Sequence, residues 1–167
     1  MKVAIVLGTS KSDGNTRALV DAFTLKAEAD IFDLSLLNIS FYDYLHKNND
    51  DDFLPLLKKL ITYDHIIFAT PIYWYSMSAQ LKVFIDRLSD LLIINKELGR
   101  KLKGKSISVL STGFDLECPD CFIIPFKLTA NYMGLTFKGY EYVSIQSDKH
   151  EINFEKNVIS AINQIKN

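Results

Sequence analysis

Cysteine is scarce: only Cys118 and Cys121 occur in 167 residues. Two thiols are too few for the disulfide framework of a small secreted protein, and a chain of this length buries a sizeable core without staples. The expected compartment is therefore a reducing cytoplasm. Neither sign of charge is in excess: 19 basic residues meet 20 acidic ones, for a formal net charge of −1. With no basic stripe interleaved with aromatics, this balance argues against nucleic-acid and anionic-membrane partners. Long apolar runs are missing as well. The opening "MKVAIVLG" is too short to read as a leader and passes into polar residues. No stretch approaches the roughly 20 apolar residues that cross a bilayer. Three scattered histidines, His46, His65 and His150, and two cysteines make no zinc set, so no metal site is expected.

What is present is a strict alternation of strand and helix. "KVAIVL" (2–7) and "HIIFAT" (65–70) are apolar runs typical of strands buried on both faces; "ADIFDL" (29–34), "KSISVLST" (105–112) and "TFKGYEYVSI" (136–145) complete a set of five strands. Helical periodicity covers 15–27, a segment from Phe53 to Leu60, 78–92, 120–134 and 154–166. In the third of these, Leu81, Phe84, Ile85, Leu88 and Leu92 form the apolar stripe, and Gly134 closes the fourth. Five strands alternating with five helices predict one α/β domain over 1–167. It is a three-layer sandwich around an open, five-stranded parallel sheet of order 2-1-3-4-5. The stretch 35–52 reads as an excursion from that domain. Its closing "DDD" (50–52) is expected to start a helix, where acidic residues suit the dipole.

In such a sheet ligands bind beyond the carboxyl ends of the strands, at the switch between the first and third. Three loops converge there. "GTSKSDGNT" (8–16) opens a helix whose unpaired N–H groups favour an anion. Its hydroxyls, Asn15 and two glycines make a phosphate cradle of mostly neutral donors; the alternative is a solvated turn capped by Ser12 or Asp13. It lacks the Gly-Lys-Ser/Thr of a nucleoside-triphosphate loop. "TPIYWYS" (70–76) crowds three aromatics at a strand end, fit for a flat ligand or for an oligomer interface. "STG" (111–113) adds two hydroxyls and a bare backbone. Cradle, aromatic wall and small-residue shelf together describe a site for a phosphorylated planar heterocycle, and flavin mononucleotide (FMN) suits all three.

"VLGTSKSDGNTRAL" and "FATPIYWYSMSAQLKVFIDR" resemble the two signatures of NAD(P)H-dependent FMN reductases of the flavodoxin-like fold, and the element succession matches over nearly the whole chain. The resemblance implies that Ser10, Ser12, Gly14, Asn15 and Thr16 hold the phosphate. Pro71, Ile72, Tyr73 and Trp74 would border the isoalloxazine, with Ser111, Thr112 and Gly113 on its other side. It implies bound FMN, NAD(P)H as co-substrate, a small electron acceptor (quinone, nitro or azo compound, or free flavin) and a homodimer. No side chain is assigned a catalytic role, because the flavin carries the chemistry. Iron–sulfur relatives place a cysteine cluster where this chain has "ISFYDYLHKNNDDDF"; without thiolates that cluster is ruled out. Phe41, Tyr42 and Tyr44 there are candidate lids or simple packing. Arg87 belongs to the second signature in a structural or interfacial role, Lys82 and Asp86 read as a surface pair, and His65 reads as structural. "CPDC" (118–121) has redox-motif spacing at a helix start and is either a flavin-coupled dithiol or two ordinary loop thiols. Two rival functions share the fold: a flavodoxin-type electron carrier, which the near-neutral charge disfavours, and a non-catalytic flavin-binding scaffold.

Overall fold

The computed structural model describes residues 1–47, 50–146 and 153–166; His150, named above with the histidines, lies outside them. Five strands, β1 (Val3–Leu7), β2 (Asp30–Asp33), β3 (His65–Pro71), β4 (Ser106–Gly113) and β5 (Thr136–Ser144), pair in parallel in the order β2-β1-β3-β4-β5. Among the described residues the helices are α1 (Asn15–Thr24), α2 (Phe53–Leu60), α3 (Ala79–Arg87), α4 (Asp90–Ile93), α5 (Lys96–Arg100), α6 (Asp120–Met133) and α7 (Glu155–Lys166), with one 3-10 turn at Leu34–Leu36. Two cores flank the sheet. Phe53, Leu57, Leu81, Phe84, Phe122 and Phe126 pack over one face against Phe68 and Val109. Leu19, Val20, Phe23, Val158 and Ile165 pack over the other against Ile5, Ile67 and Leu110. Every residue of β1 and β3 is buried, which is why both read as unbroken apolar runs. Their register sets Leu7 beside Ala69, and Ala69 beside Leu110. The three strands therefore deliver their loops to one edge.

Two expectations need correction. The helix expected over 78–92 ends at Arg87, and α4 restarts at Asp90. Leu92, expected on the apolar stripe, is 41% exposed while Leu91 is buried. The break follows from Arg87, which is only 1% exposed. Its guanidinium pairs with Asp51, donates from Nε to Asp90 Oδ2 (2.7 Å) and from Nη1 to the Ser40 carbonyl (3.1 Å), and lies over the Phe53 ring at 4.8 Å. His46 Nδ1 sits 2.9 Å from the second Asp90 oxygen. The acidic run before α2 likewise has a different job from dipole compensation. Asp52 makes no side-chain cap; it accepts from the Asn38 amide (2.8 Å), and Asp51 accepts from the Ser40 (2.9 Å) and Phe53 (3.0 Å) amides. Arg87 and these two aspartates pin the excursion to the helical layer. Lys82 and Asp86 form the expected exposed pair at 2.6 Å, and Gly134 closes α6 in the left-handed conformation, with φ 70°.

Buried His65 bridges two serines of β4, with Nδ1 2.7 Å from Ser106 Oγ and Nε2 2.9 Å from Ser108 Oγ. Burial, then the positive charge of Lys138, lowers its pKa to about 4. No helix among the described residues is long and apolar enough to cross a membrane.

Candidate functional site

The cleft begins with how the β1–α1 loop is seated. Gly8 continues the ladder through its N–H to the Ala69 carbonyl (2.9 Å). A Cβ at Gly8 would lie 2.6 Å from Leu81 Cβ, so only glycine lets α3 start against this loop. Ser78 ties the two together. Its Oγ donates to the Gly8 carbonyl (2.8 Å) and accepts from the Leu81 amide (3.2 Å), and its own amide donates to Thr70 Oγ1 (3.0 Å). Ser78 therefore caps α3. By contrast α1 has Gly14 at its cap position and no side chain capping it. The expected caps, Ser12 and Asp13, are not used; both are exposed, and Asp13 faces Lys11 at 3.7 Å. The first N–H groups of α1 are thus left for something else. Thr16, in its first turn, shares a buried 2.7 Å hydrogen bond with Thr112 at the end of β4.

The second loop leaves Pro71 with the Ile72 amide donating to the Thr112 carbonyl (2.8 Å). Tyr73 and Ser76 then exchange two backbone hydrogen bonds, at 2.9 and 3.0 Å, around Trp74 (φ 48°) and Tyr75 (φ 63°). Two successive positive φ values are the signature of a type I′ hairpin, a turn that normally takes Asn-Gly. Here it carries two aromatics pushed outward, with Trp74 94% exposed. In the third loop Gly113 lies under Tyr142, whose hydroxyl would be 2.9 Å from an added Cβ. That hydroxyl donates to the Asp115 carbonyl (2.6 Å).

These loops enclose a cleft of about 200 Å³. Of the residues expected there, Gly14, Asn15, Thr16, Pro71, Ile72, Tyr73, Thr112 and Gly113 line it. Ser10 and Ser12 are exposed outside it, Ser10 near Gln80; Trp74 points to solvent. Ser111 is buried, with its hydroxyl donating to the Glu141 carbonyl (3.3 Å). Thr9 and Lys11, both within the expected 8–16 loop, line it as well, and Phe114 and Ile145 join unannounced. Phe114 adjoins the expected third loop and could have been included on that ground. Ile145 had no signal of its own; it is brought in by the pairing of Gly113 with Ser144 and by its amide bond to the Gly113 carbonyl (2.8 Å). Among the described residues Lys11 is the one charged residue of the lining. Arg17 is committed to Asp21 (2.8 Å), with Asp33 at 4.0 Å. Phe41, Tyr42 and Tyr44 do not line the cleft; Phe41 and Tyr44 are largely exposed.

A larger hollow, about 530 Å³, lies at the opposite, amino end of β1 and β2. Within it Tyr63 donates to Asp30 (2.7 Å), and burial followed by that contact pushes its phenol up to about 12. No uncapped helix start opens onto it, so the smaller cleft is the better candidate. The donor set there fits FMN: neutral donors and a free helix N-terminus for a phosphate, with flat and bare surfaces beside it. The C-x-x-C pair behaves differently from a helix-activated thiol. Burial, Asp120 and Cys121 push the Cys118 thiol up to about 11, against the thiolate that a helix start would favour.

Residues 1–117 match the family model for NADPH-dependent FMN reductase. The chain belongs to that family. This FMN reductase is 31% identical over 152 residues to YwqN of Bacillus subtilis, assigned as an NAD(P)H-dependent FMN-containing oxidoreductase, covering 84% of this chain and 83% of the relative. It is 29% identical over 97 residues to an NADPH azoreductase of a Bacillus species, covering 58% and 54% of the two chains. Its backbone superimposes on the Trp repressor binding protein of Bacillus subtilis with a TM-score of 0.75 at 25% identity, over 98% of this chain and 99% of that one. The reductase is an enzyme of the flavodoxin-like fold that uses FMN and NAD(P)H, which sets aside the carrier and scaffold alternatives.

Proposed function

We propose that the cleft between β1, β3 and β4 holds the FMN. Its phosphate sits on the α1 N-terminus among Gly14, Asn15 and Thr16, and its ring is bordered by Pro71, Ile72, Tyr73, Thr112 and Gly113. The observation that carries this reading is the uncapped start of α1, open to the cleft and fixed to β4 by the Thr16–Thr112 hydrogen bond. Ser10, Ser12, Trp74 and Ser111 then lie away from the phosphate and ring. FMN supplies hydride and electron transfer between NAD(P)H and a second molecule. The chain's own part is to bind and orient. Thr16 and the helix N–H groups neutralise the phosphate without a buried cation, and the Gly113 backbone permits close approach. Tyr73 and Phe114 offer apolar faces at the rim to a flat acceptor, for which a quinone or azo compound is the natural class. The enclosed volume is below the roughly 300 Å³ of a site that swallows its ligand whole. The ring edge is therefore open to the second substrate.

The test is flavin content after dialysis. Asn15→Ala and Thr16→Ala should lose FMN more readily than the parent, and wild-type retention in both would refute the phosphate placement. NADH and NADPH oxidation with a quinone and azo panel identifies the acceptor. The enzyme works as a homodimer in the cytoplasm. Support comes from the scarcity of cysteine and from exposed Leu92, Leu128 and Tyr132, which meet around one groove between α4 and α6. Tyr132→Glu should halve the mass measured by light scattering; an unchanged dimer, or a monomeric parent, would refute that face.

A further inference from the structure

Cys118 and Cys121 are the chemistry-bearing residues that the flavin site leaves unused. They stand at the carboxyl end of β4, in the segment that runs from Phe114 at the cleft into α6. Cys121, inside the first turn of α6, is exposed; its Sγ approaches the Tyr75 carbonyl at 3.9 Å and donates a weak hydrogen bond there. Cys118 precedes the helix and is half-buried. Between them Pro119 has φ −60° and ψ 131°. Its φ is already helical while its ψ is extended, and Cys118 stands one residue before the helix cap. Rotating that one torsion would place Pro119 as the first residue of α6, a position proline favours, and Cys118 at the cap. Cysteines three residues apart across a helix start then fall within disulfide range.

We propose that Cys118 and Cys121 form a reversible intramolecular disulfide when the enzyme meets hydrogen peroxide, and that closing it withdraws the support of Tyr75 and loosens the aromatic hairpin at the rim of the cleft. Exposed Cys121 reacts first. Its sulfur attacks a peroxide oxygen, the O–O bond breaks, a sulfenic acid forms and one water leaves. The Cys118 sulfur then attacks the sulfenic sulfur, the S–S bond forms, the S–O bond breaks and a second water leaves. Two thiols lose two electrons in all, and one peroxide becomes two waters. The Cys118 thiol, pushed up to about 11, holds little thiolate and leaves the first step to Cys121. A disulfide of this kind in a reducing compartment is transient and regulatory. The link to the hairpin is read by Trp74, the chain's single tryptophan, which lies next to Tyr75.

Any bearing of the hairpin on flavin chemistry rests on the cleft being the flavin site; the thiol chemistry does not. Purified FMN-loaded enzyme is treated with peroxide, denatured, alkylated with N-ethylmaleimide and weighed. The parent should go from two labels to none and recover both after dithiothreitol, whereas Cys118→Ser and Cys121→Ser should form no intramolecular bridge. Trp74 emission should change on oxidation in the parent and stay constant in Cys118→Ser. Retention of both labels, or irreversible loss that dithiothreitol does not restore, would overturn the disulfide. An equal emission change in the parent and in Cys118→Ser would overturn its coupling to the hairpin. The thiol count does not depend on where FMN binds, which the dialysis test addresses separately.

Discussion

Acid weakens this fold within a window set by His65. The ring is fully buried between Ser106 and Ser108, with both nitrogens in hydrogen bonds. A neutral imidazole offers one donor and one acceptor, which the two hydroxyls can match by rotation. In the unfolded chain the ring takes a proton near pH 6.5; in the folded protein burial and Lys138 delay this until about 4. The folded state therefore binds fewer protons throughout the interval. Above pH 6.5 neither state is protonated and the stability is complete. As pH falls from 6.5 to about 4 it is progressively lost, and below that both states carry the proton. At about 1.4 kcal/mol per pH unit the loss amounts to about 3.5 kcal/mol. That is a large share of a typical net stability of about 5–15 kcal/mol. Urea unfolding between pH 7.5 and 4.5 measures it, with His65→Gln as the reference that removes the titration and keeps the bulk. The variant starts less stable at neutral pH, and its profile should be flatter by most of that amount. Parallel profiles, within about 1 kcal/mol, would refute the reasoning. They would mean that the ring is protonated in the folded state or that carboxylates govern the whole slope.

Arg87→Met should cost about 3–5 kcal/mol in urea unfolding, because it leaves Asp51 and Asp90 buried without their cation; adding Asp51→Asn should recover part of the loss, and a cost under about 1 kcal/mol would contradict the network. Trp74→Asn with Tyr75→Gly gives the hairpin the residues its positive φ values prefer. It should raise stability by about 1–2 kcal/mol, followed by circular dichroism, while slowing NAD(P)H–quinone turnover.

The strands and their order were legible because each central strand is buried on both faces and shows as an apolar run. Level strand ends then bring the three loops together, so a cleft could be expected from spacing alone. The break after Arg87 was not legible. Leu81, Phe84, Leu88 and Leu92 keep helical spacing straight through it, and no glycine or proline interrupts them. The helix stops where Arg87 reaches Asp51, a partner 36 residues away in sequence, and binds Asp90 just after it. Within the cleft the sequence lists hydroxyls without saying which way they point. Strand alternation supplies part of that answer: Thr112 shares a face with Leu110, which packs towards α1, and so meets Thr16. Ser111 belongs to the opposite face and bonds to β5 instead. Ser10 and Ser12 lie in a loop with no such periodicity, and their outward placement had no sequence signal.

The hairpin at Tyr73–Ser76 is where local preference and observed structure disagree most. Two adjacent aromatics in left-handed backbone cost of order 1–3 kcal/mol each, and Trp74 gains no burial in return. A turn under selection for stability alone would carry Asn-Gly. The surrounding structure holds it nonetheless: Pro71 ends a fully buried strand before it, and Ser78 anchors α3 to Gly8 and Thr70 after it. The strain is thus confined to the two residues that project beyond the cleft. Local rules fail most often at functional sites, and this failure sits at the rim where a flat second substrate must arrive. Relieving it while leaving the cleft lining intact separates binding of FMN from handling of the acceptor. Flavin retention should be unchanged in the Trp74→Asn, Tyr75→Gly variant, and only the acceptor-dependent rate should fall.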